Sequence, residues 1–335
     1  MLLARLSEAA GVSSQEQEVR DLIKQEAGAK TGVEIKTDAL GNVLAYKQGR
    51  KNGPTVMIAA HMDEVGLMIV GVENSGLLRF KPVGGIDLRV LVAKQVFVGP
   101  DRIPGVIGSK PIHLQKANER KTPFQWQELY IDIGAKSKDE ADKLVPIGTT
   151  AIFATTFRQL SSDIIMGKAL DDRVGCNVLL ELLDGEYDCN LVCVFTVQEE
   201  VGLRGAGVAA YAVEPDLALV IEGTTASDVP GVKPHGHATS VGKGPALTFM
   251  DRVTIPARPL VEKLQEVAER ESIAIQFRRA TTGGTDAGVI RLTKGGIPVA
   301  GVSVPCRYIH SPASVASLSD INATTRLVRA FLQTC

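Results

Sequence analysis

Aromatic side chains are scarce: they make up 4% of the 335 residues, and tryptophan occurs once, at Trp126. That argues against a stacking platform for single-stranded nucleic acid. A surplus of positive charge is also missing, with 37 Lys and Arg against 38 Asp and Glu and a formal charge of −1. Chains that coat nucleic acid or anionic membrane usually carry a basic excess. No apolar run approaches the ~18 residues needed to span a bilayer. Met1–Glu8 has charge on both sides of a very short apolar stretch, which is not the pattern of a signal peptide. Five cysteines are an odd count without disulfide-scaffold spacing, as expected of free thiols in a reducing compartment. Cys189 and Cys193 have no second pair to complete a metal site, and Cys193 falls inside an apolar run, so both read as buried thiols. The expectation is a cytoplasmic chain with neither nucleic acid nor membrane as partner.

At 44% hydrophobic and 22% charged the chain can bury a sizeable core, and its length allows about two domains at roughly 100–200 residues each. Val19, Leu22 and Ile23 give an opening helix one apolar stripe, with Ser13 or Ser14 placed to cap it. Val33–Lys36 and Val43–Tyr46 flank a turn and predict a hairpin. Thr55–Ala60 is a continuous apolar run, the mark of a strand buried on both faces. From about Leu67 to Ile164, short β-branched runs alternate with Gly and Pro, interrupted by a polar loop at Lys116–Lys121. After Asp171 helices and strands alternate again: a helix over Val174–Leu183, strands at Leu191–Val197, Leu217–Ile221 and Ile297–Val304, and helices over Pro259–Arg270 and Leu318–Leu332. The fold class is therefore α/β. Residues 1–66 and 165–335 form a mixed-sheet α/β/α catalytic domain, and residues 67–164 a small inserted β-barrel-like domain.

The polar residues at the strand ends carry the chemistry. Four apolar strands run into His61-Met62-Asp63-Glu64, Gln198-Glu199-Glu200, Glu222-Gly223 and Tyr308-Ile309-His310. In open α/β sheets the site lies beyond the carboxyl ends of the strands. Gly167–Arg173 adds the adjacent carboxylates Asp171 and Asp172 before a helix. So many acids repel one another at a shared site unless a cation compensates, and a divalent metal does so directly. Imidazole with carboxylate suits Zn²⁺, Co²⁺ or Mn²⁺ rather than a sulfur cluster. Two histidines and three or more acids suffice for two metals about 3.5–4 Å apart, sharing a carboxylate and a hydroxide for hydrolysis.

His61-x-Asp63, Ala169-Leu170-Asp171-Asp172-Arg173, Gln198-Glu199-Glu200-Val201-Gly202, Glu222 and Ile309-His310-Ser311-Pro312 occur in the order found in co-catalytic metallo-aminopeptidases. Over essentially its whole length the chain resembles the glutamyl or deblocking aminopeptidase family of clan MH, whose members form tetrahedral (TET) assemblies. Gly283–Gly288 and Gly108–Pro111 share the likeness. The resemblance implies a phosphorylase/hydrolase-like fold and an aminopeptidase that attacks through a metal-bridged hydroxide. His61 and Glu222 would hold one metal, His310 and Glu200 the other, and Asp171 would bridge them, with a cis Asp171–Asp172 peptide. Glu199 would be the general base and Asp63 would orient His61. Two divalent ions per subunit are implied, zinc first, with cobalt or manganese as alternatives. So are peptide substrates with a free N-terminus and a homo-oligomer, in which inserts pair subunits into dimers and dimers build a dodecamer. Glu222 stands where many relatives have Asp, and Ala313-Ser314 where many have an acid.

Read alone, most of these residues have plainer roles. An isolated histidine is usually an ordinary polar or core residue. Asp171-Asp172 also fits a helix cap, and Glu199-Glu200 a solvated pair. His113 reads as structural, and His235 and His237 as loop residues. Paired carboxylates would also serve an endoglucanase-type glycoside hydrolase. The same metals would serve a deacylase or carboxypeptidase, and a catalytically silent scaffold could keep the fold.

Overall fold

The computed structural model describes residues 1–335. Eleven strands form one mixed sheet. Its main path runs Val33–Thr37, Val43–Lys47, Asn190–Thr196, Thr55–His61, Leu217–Thr225, Val299–Arg307, Ser314–Ser317, Ile164–Gly167 and Arg158–Gln159. Ala246–Thr248 and Gln276–Arg278 join beside Val299–Arg307. The four strands around the centre are parallel to one another.

Their uninterrupted apolar runs follow from burial on both sides. Successive strand residues face opposite sides. Val56, Ile58 and Ala60 enter one apolar core, while Met57 and Ala59 enter the other. The larger core lies under the helices Gln17–Gly28, Leu170–Leu182, Arg258–Arg270 and Leu318–Leu332. The smaller lies under Arg204–Val213 and the short helix Ala287–Ile290. The result is the expected α/β/α layering.

A second body of six antiparallel strands closes into a barrel. Its order is Gly66–Val72, Leu78–Val83, Leu129–Asp132, Ile103–Ser109, Gln95–Val98 and Thr150–Phe153. Here the apolar residues alternate: Leu67 and Ile69, Leu78 and Phe80, Val96 and Val98, Leu129 and Ile131 all point into a separate core. Trp126 packs edge-on against Phe80 at 6.0 Å and belongs to this packing. Lys116–Lys121 is exposed or nearly so, as expected of a loop.

Two expectations change. The helix Gln17–Gly28 starts after Glu16 with no side-chain cap, so neither Ser13 nor Ser14 caps it; the Ser13 hydroxyl is taken by Asp63 instead. His113 sits exposed in a single turn of 3₁₀ helix and makes no side-chain hydrogen bond, which removes its structural role. At the chain's end Ser317 caps Leu318–Leu332 by accepting from the Asp320 amide, while Ser319 turns to Asp163.

Candidate metal centre

His61 is the last residue of its strand. Glu222 lies within the neighbouring strand, and His310 and Glu200 lie on loops that leave the two strands flanking this pair. Asp171 and Asp172 come from the other direction, at the head of Leu170–Leu182. Their backbone there is not helical, the peptide between them is cis, and Ala169 before them has φ 52°. Gln198 and His310 also hold left-handed backbone, at φ 56° and 55°. Strained non-glycine conformations of this kind gather at functional sites. Gly223 lets the two elements approach: a β-carbon there would stand 2.8 Å from Asp171 Cα.

The side chains form two half-sites sharing one carboxylate. His61 Nε2 lies 3.5 Å from Asp171 Oδ1 and 3.5 Å from Glu222 Oε2. His310 Nε2 lies 3.6 Å from Asp171 Oδ2 and 3.3 Å from Glu200 Oε1. Each oxygen of Asp171 thus faces a different histidine. Ligand atoms of His61, Asp171 and Glu200 lie within 4.8 Å of one another, as do those of His61, Asp172 and Glu222. Asp172 therefore stands closer to the first half-site than the sequence indicated.

Asp63 organises the floor. Its backbone carbonyl lies 3.1 Å from His61 Nδ1 and its Oδ1 3.5 Å away. The same carboxylate accepts from the Glu199 amide at 3.0 Å, the Glu200 amide at 3.2 Å and the Ser13 hydroxyl at 2.6 Å. One buried group thus orients a histidine and fixes the backbone of both glutamates. Ser13 was not legible as part of this site. Glu64, next in sequence, binds buried Lys168 at 2.7 and 2.8 Å and lies 3.4 Å from Arg173. These two cations sit under the acid cluster. Ala313 and Ser314 bring no acid to His310, whose ring nitrogen meets only Asp171 and Glu200.

The electrostatics are those of a site short of positive charge. Burial alone would lower the His61 pKa, but the neighbouring carboxylates of Asp171, Asp63, Glu222 and Glu199 lift it well above the ordinary value. His310 is raised to about 9 despite its burial, by Asp171 and Glu200. Burial drives Glu199 and Glu222 well up and Glu200 up to about 7. Burial also works against Asp171, yet the imidazoles of His310 and His61 beside its two oxygens hold it down at about 2. Without a metal ion, protons do the neutralising. Asp171 Oδ1, Asp172 Oδ2 and Glu222 Oε1 are buried with no hydrogen-bond partner. Partnerless carboxylate oxygens beside two imidazoles are a donor set that fits divalent cations.

Above the histidines opens a cavity of about 370 Å³. Its far wall is polar: Thr224, Thr248, Ser303 and the turn Thr282–Thr285, with Ile309 the only apolar lining residue. Arg278 is the one permanent cation there. Its Nε donates to Thr224 Oγ1 at 3.0 Å and one terminal nitrogen to the Thr282 carbonyl at 2.5 Å, while the other is buried without a partner. Nothing in the local sequence marked Arg278, because Thr282 and Thr224 meet it only in the folded chain.

Comparison with known proteins points to one family. The model of the M42 glutamyl aminopeptidase family matches residues 41–327. The chain is 33% identical to a lysyl aminopeptidase of Pyrococcus furiosus, over 99% of this chain and 96% of that one. In three dimensions it is similar to aminopeptidase APDkam598 from the archaeon Desulfurococcus kamchatkensis: TM-score 0.95, 39% identity, 100% of this chain and 94% of that one. The TET1 peptidase of Pyrococcus horikoshii, which can assemble into a tetrahedron or a large octahedral shell, is similar with a TM-score of 0.88 and 34% identity, over 100% and 99% of the two chains.

Proposed function

Because the chain belongs to the M42 glutamyl aminopeptidase family, and so to the hydrolases that act on peptides, we propose that it releases N-terminal residues from peptides with a free α-amine, using two divalent metal ions. The observation that carries this reading is Asp171, whose two oxygens face His61 and His310 separately. His61 and Glu222 would hold one ion and His310 and Glu200 the other, with Asp171 serving both. When bound, the ions supply Lewis acidity that polarises the scissile carbonyl and acidifies the attacking water. Zinc suits the donors best, and cobalt or manganese would be accepted. Glu199, outside the ligand set, would take the water's proton and pass it to the leaving amine. Asp63 keeps His61 in its tautomer and Glu199 in its place.

The selectivity of the same site follows from its polar wall. Arg278 has a buried, partnerless N–H beside threonine hydroxyls, so we assign the pocket to an acidic N-terminal side chain rather than a basic one. The wall carries no aromatic platform, so a sugar-cleaving reading finds no support in it.

The barrel, whose strands run from Gly66 to Phe153, so that the insert ends before the sheet strand Arg158–Gln159 rather than at residue 164, is assigned to pairing two copies of the chain, with pairs assembling into a dodecamer. Ile112 and Leu114, 68% and 61% exposed, give it apolar surface to bury. A cytoplasmic location belongs to the same reading; no helix is long and apolar enough to cross a membrane.

The test is amino-acid release from a panel of short peptides, before and after chelation and after adding back Zn²⁺, Co²⁺ or Mn²⁺. Sequential N-terminal release, fastest from Glu or Asp, lost on chelation and restored by metal, is the expected result. Arg278→Ala should lower kcat/KM for an N-terminal Glu by about 10-fold or more while sparing neutral residues. Release that persists under chelation overturns the metal-dependent reading. Attack only on peptides with blocked N-termini moves the chain to the deacylases.

A further inference from the structure

Asp286 has no part in the reading above. It directly follows the turn Thr282–Thr285 that lines the cavity and precedes the short helix Ala287–Ile290. Its side chain is fully buried. Oδ2 accepts from Thr196 Oγ1 at 2.5 Å, and Oδ1 has no partner. Thr196 ends the strand that leads into Gln198–Glu200 and stands in register with His61. One hydrogen bond therefore ties the wall of the substrate cavity to the strand end that carries Glu199 and Glu200.

The turn is held from its other side as well. Gly283 accepts from the Arg252 amide at 2.9 Å, and a β-carbon at Gly284 would lie 2.6 Å from the Val253 side chain. Outer packing of this kind uses backbone and apolar groups. The inner tie uses a carboxylate with one oxygen unsatisfied, and burial pushes that carboxyl up to about 6. Packing alone would be served at lower cost by an apolar residue, as Ala287 and Ile290 show on the same segment.

We propose that Asp286 is a positioning residue: through Thr196 it fixes the Thr282–Thr285 wall relative to the Glu199–Glu200 segment, so that a seated peptide meets the base. Its catalytic consequence rests on the function proposed above; its structural content does not.

The experiment compares Thr196→Val, which removes the hydroxyl, with Thr196→Ser, which keeps it, in the full metal-loaded chain. Two readouts are taken: hydrogen exchange of the amides from Thr282 to Ile290, and kcat and KM per folded molecule. Thr196→Val should speed exchange there by about tenfold or more and lower kcat by a similar factor, while Thr196→Ser restores both. Asp286→Ala combined with Thr196→Val should be no worse than either alone. Wild-type exchange and kinetics in Thr196→Val, or equal damage from Val and Ser, would overturn the proposal. If the wild-type chain releases no amino acid from any peptide, the functional reading fails and exchange alone still decides this one. Should Thr196→Val not fold, Thr196→Ala carries the same comparison.

Discussion

Between Gly66 and Phe153 no polar or charged side chain is buried. Ile131 and Leu78 face each other across barrel strands, and their neighbours in the core are apolar. At the carboxyl edge of the sheet the reverse holds: His61, Asp63, Glu64, Lys168, Asp171, Asp172, Arg173, Glu222 and Asp286 are all buried. Four of those acids, Asp171, Asp172, Glu222 and Asp286, each leave an oxygen without a partner. The barrel packs around an apolar core of its own. The sheet edge gives up stability to hold unneutralised charge, and such concessions are expected where chemistry is done.

The sharpest way to test that division is at Glu199. Glu199→Gln keeps the shape of the side chain and removes the proton carrier. Turnover should fall by about 10³-fold while the bound metal per subunit stays unchanged. Loss of metal together with activity would put Glu199 among the ligands; full activity would remove it from the mechanism. The barrel offers the complementary test. Ile131→Ala should cost about 2–5 kcal/mol of stability, read as a lower Tm, and leave kcat per folded molecule intact. A kinetic loss matching the change in Tm would show that the two regions are not independent.

Much of this was legible before folding. Thr55–Ala60 and Leu191–Val197 read as strands because burial on both faces leaves no room for alternation, and the polar residues that break each run mark where it leaves the core. His61, Glu199, Glu200 and Glu222 are legible for that reason, and Asp171 and His310 through motif order. Ser13, Arg278 and the Thr196–Asp286 pair were not. Each acts through a partner distant in sequence: Ser13 through Asp63, Arg278 through Thr224, and Asp286 through Thr196. Periodicity reports which way a side chain faces, not which distant group it meets. The Ser13 expectation failed in the same way, since a serine before a helix can cap it or bond elsewhere, and only Asp63 decides between them.

The smallest expected effect separates the two regions by pH. In the chelated protein His310 titrates at about 9 against an ordinary 6.5, and Glu200 at about 7 against 4.5. Both therefore bind more protons folded than unfolded, so stability falls as pH rises. Glu200 contributes that fall between 4.5 and about 7, and His310 between 6.5 and about 9. Asp171, held at about 2, adds no slope there, because its contribution is lost only in acid. The barrel buries no titratable group and adds none. Divalent ions bound at the same atoms take over from the protons, and they bind deprotonated ligands better as pH rises. Measured from about pH 6 to about pH 9, the Tm of chelated protein should fall while that of metal-loaded protein holds or climbs. Parallel slopes would mean that the cluster keeps its protons whether or not metal is present, and the sheet edge would then differ from the barrel in composition alone.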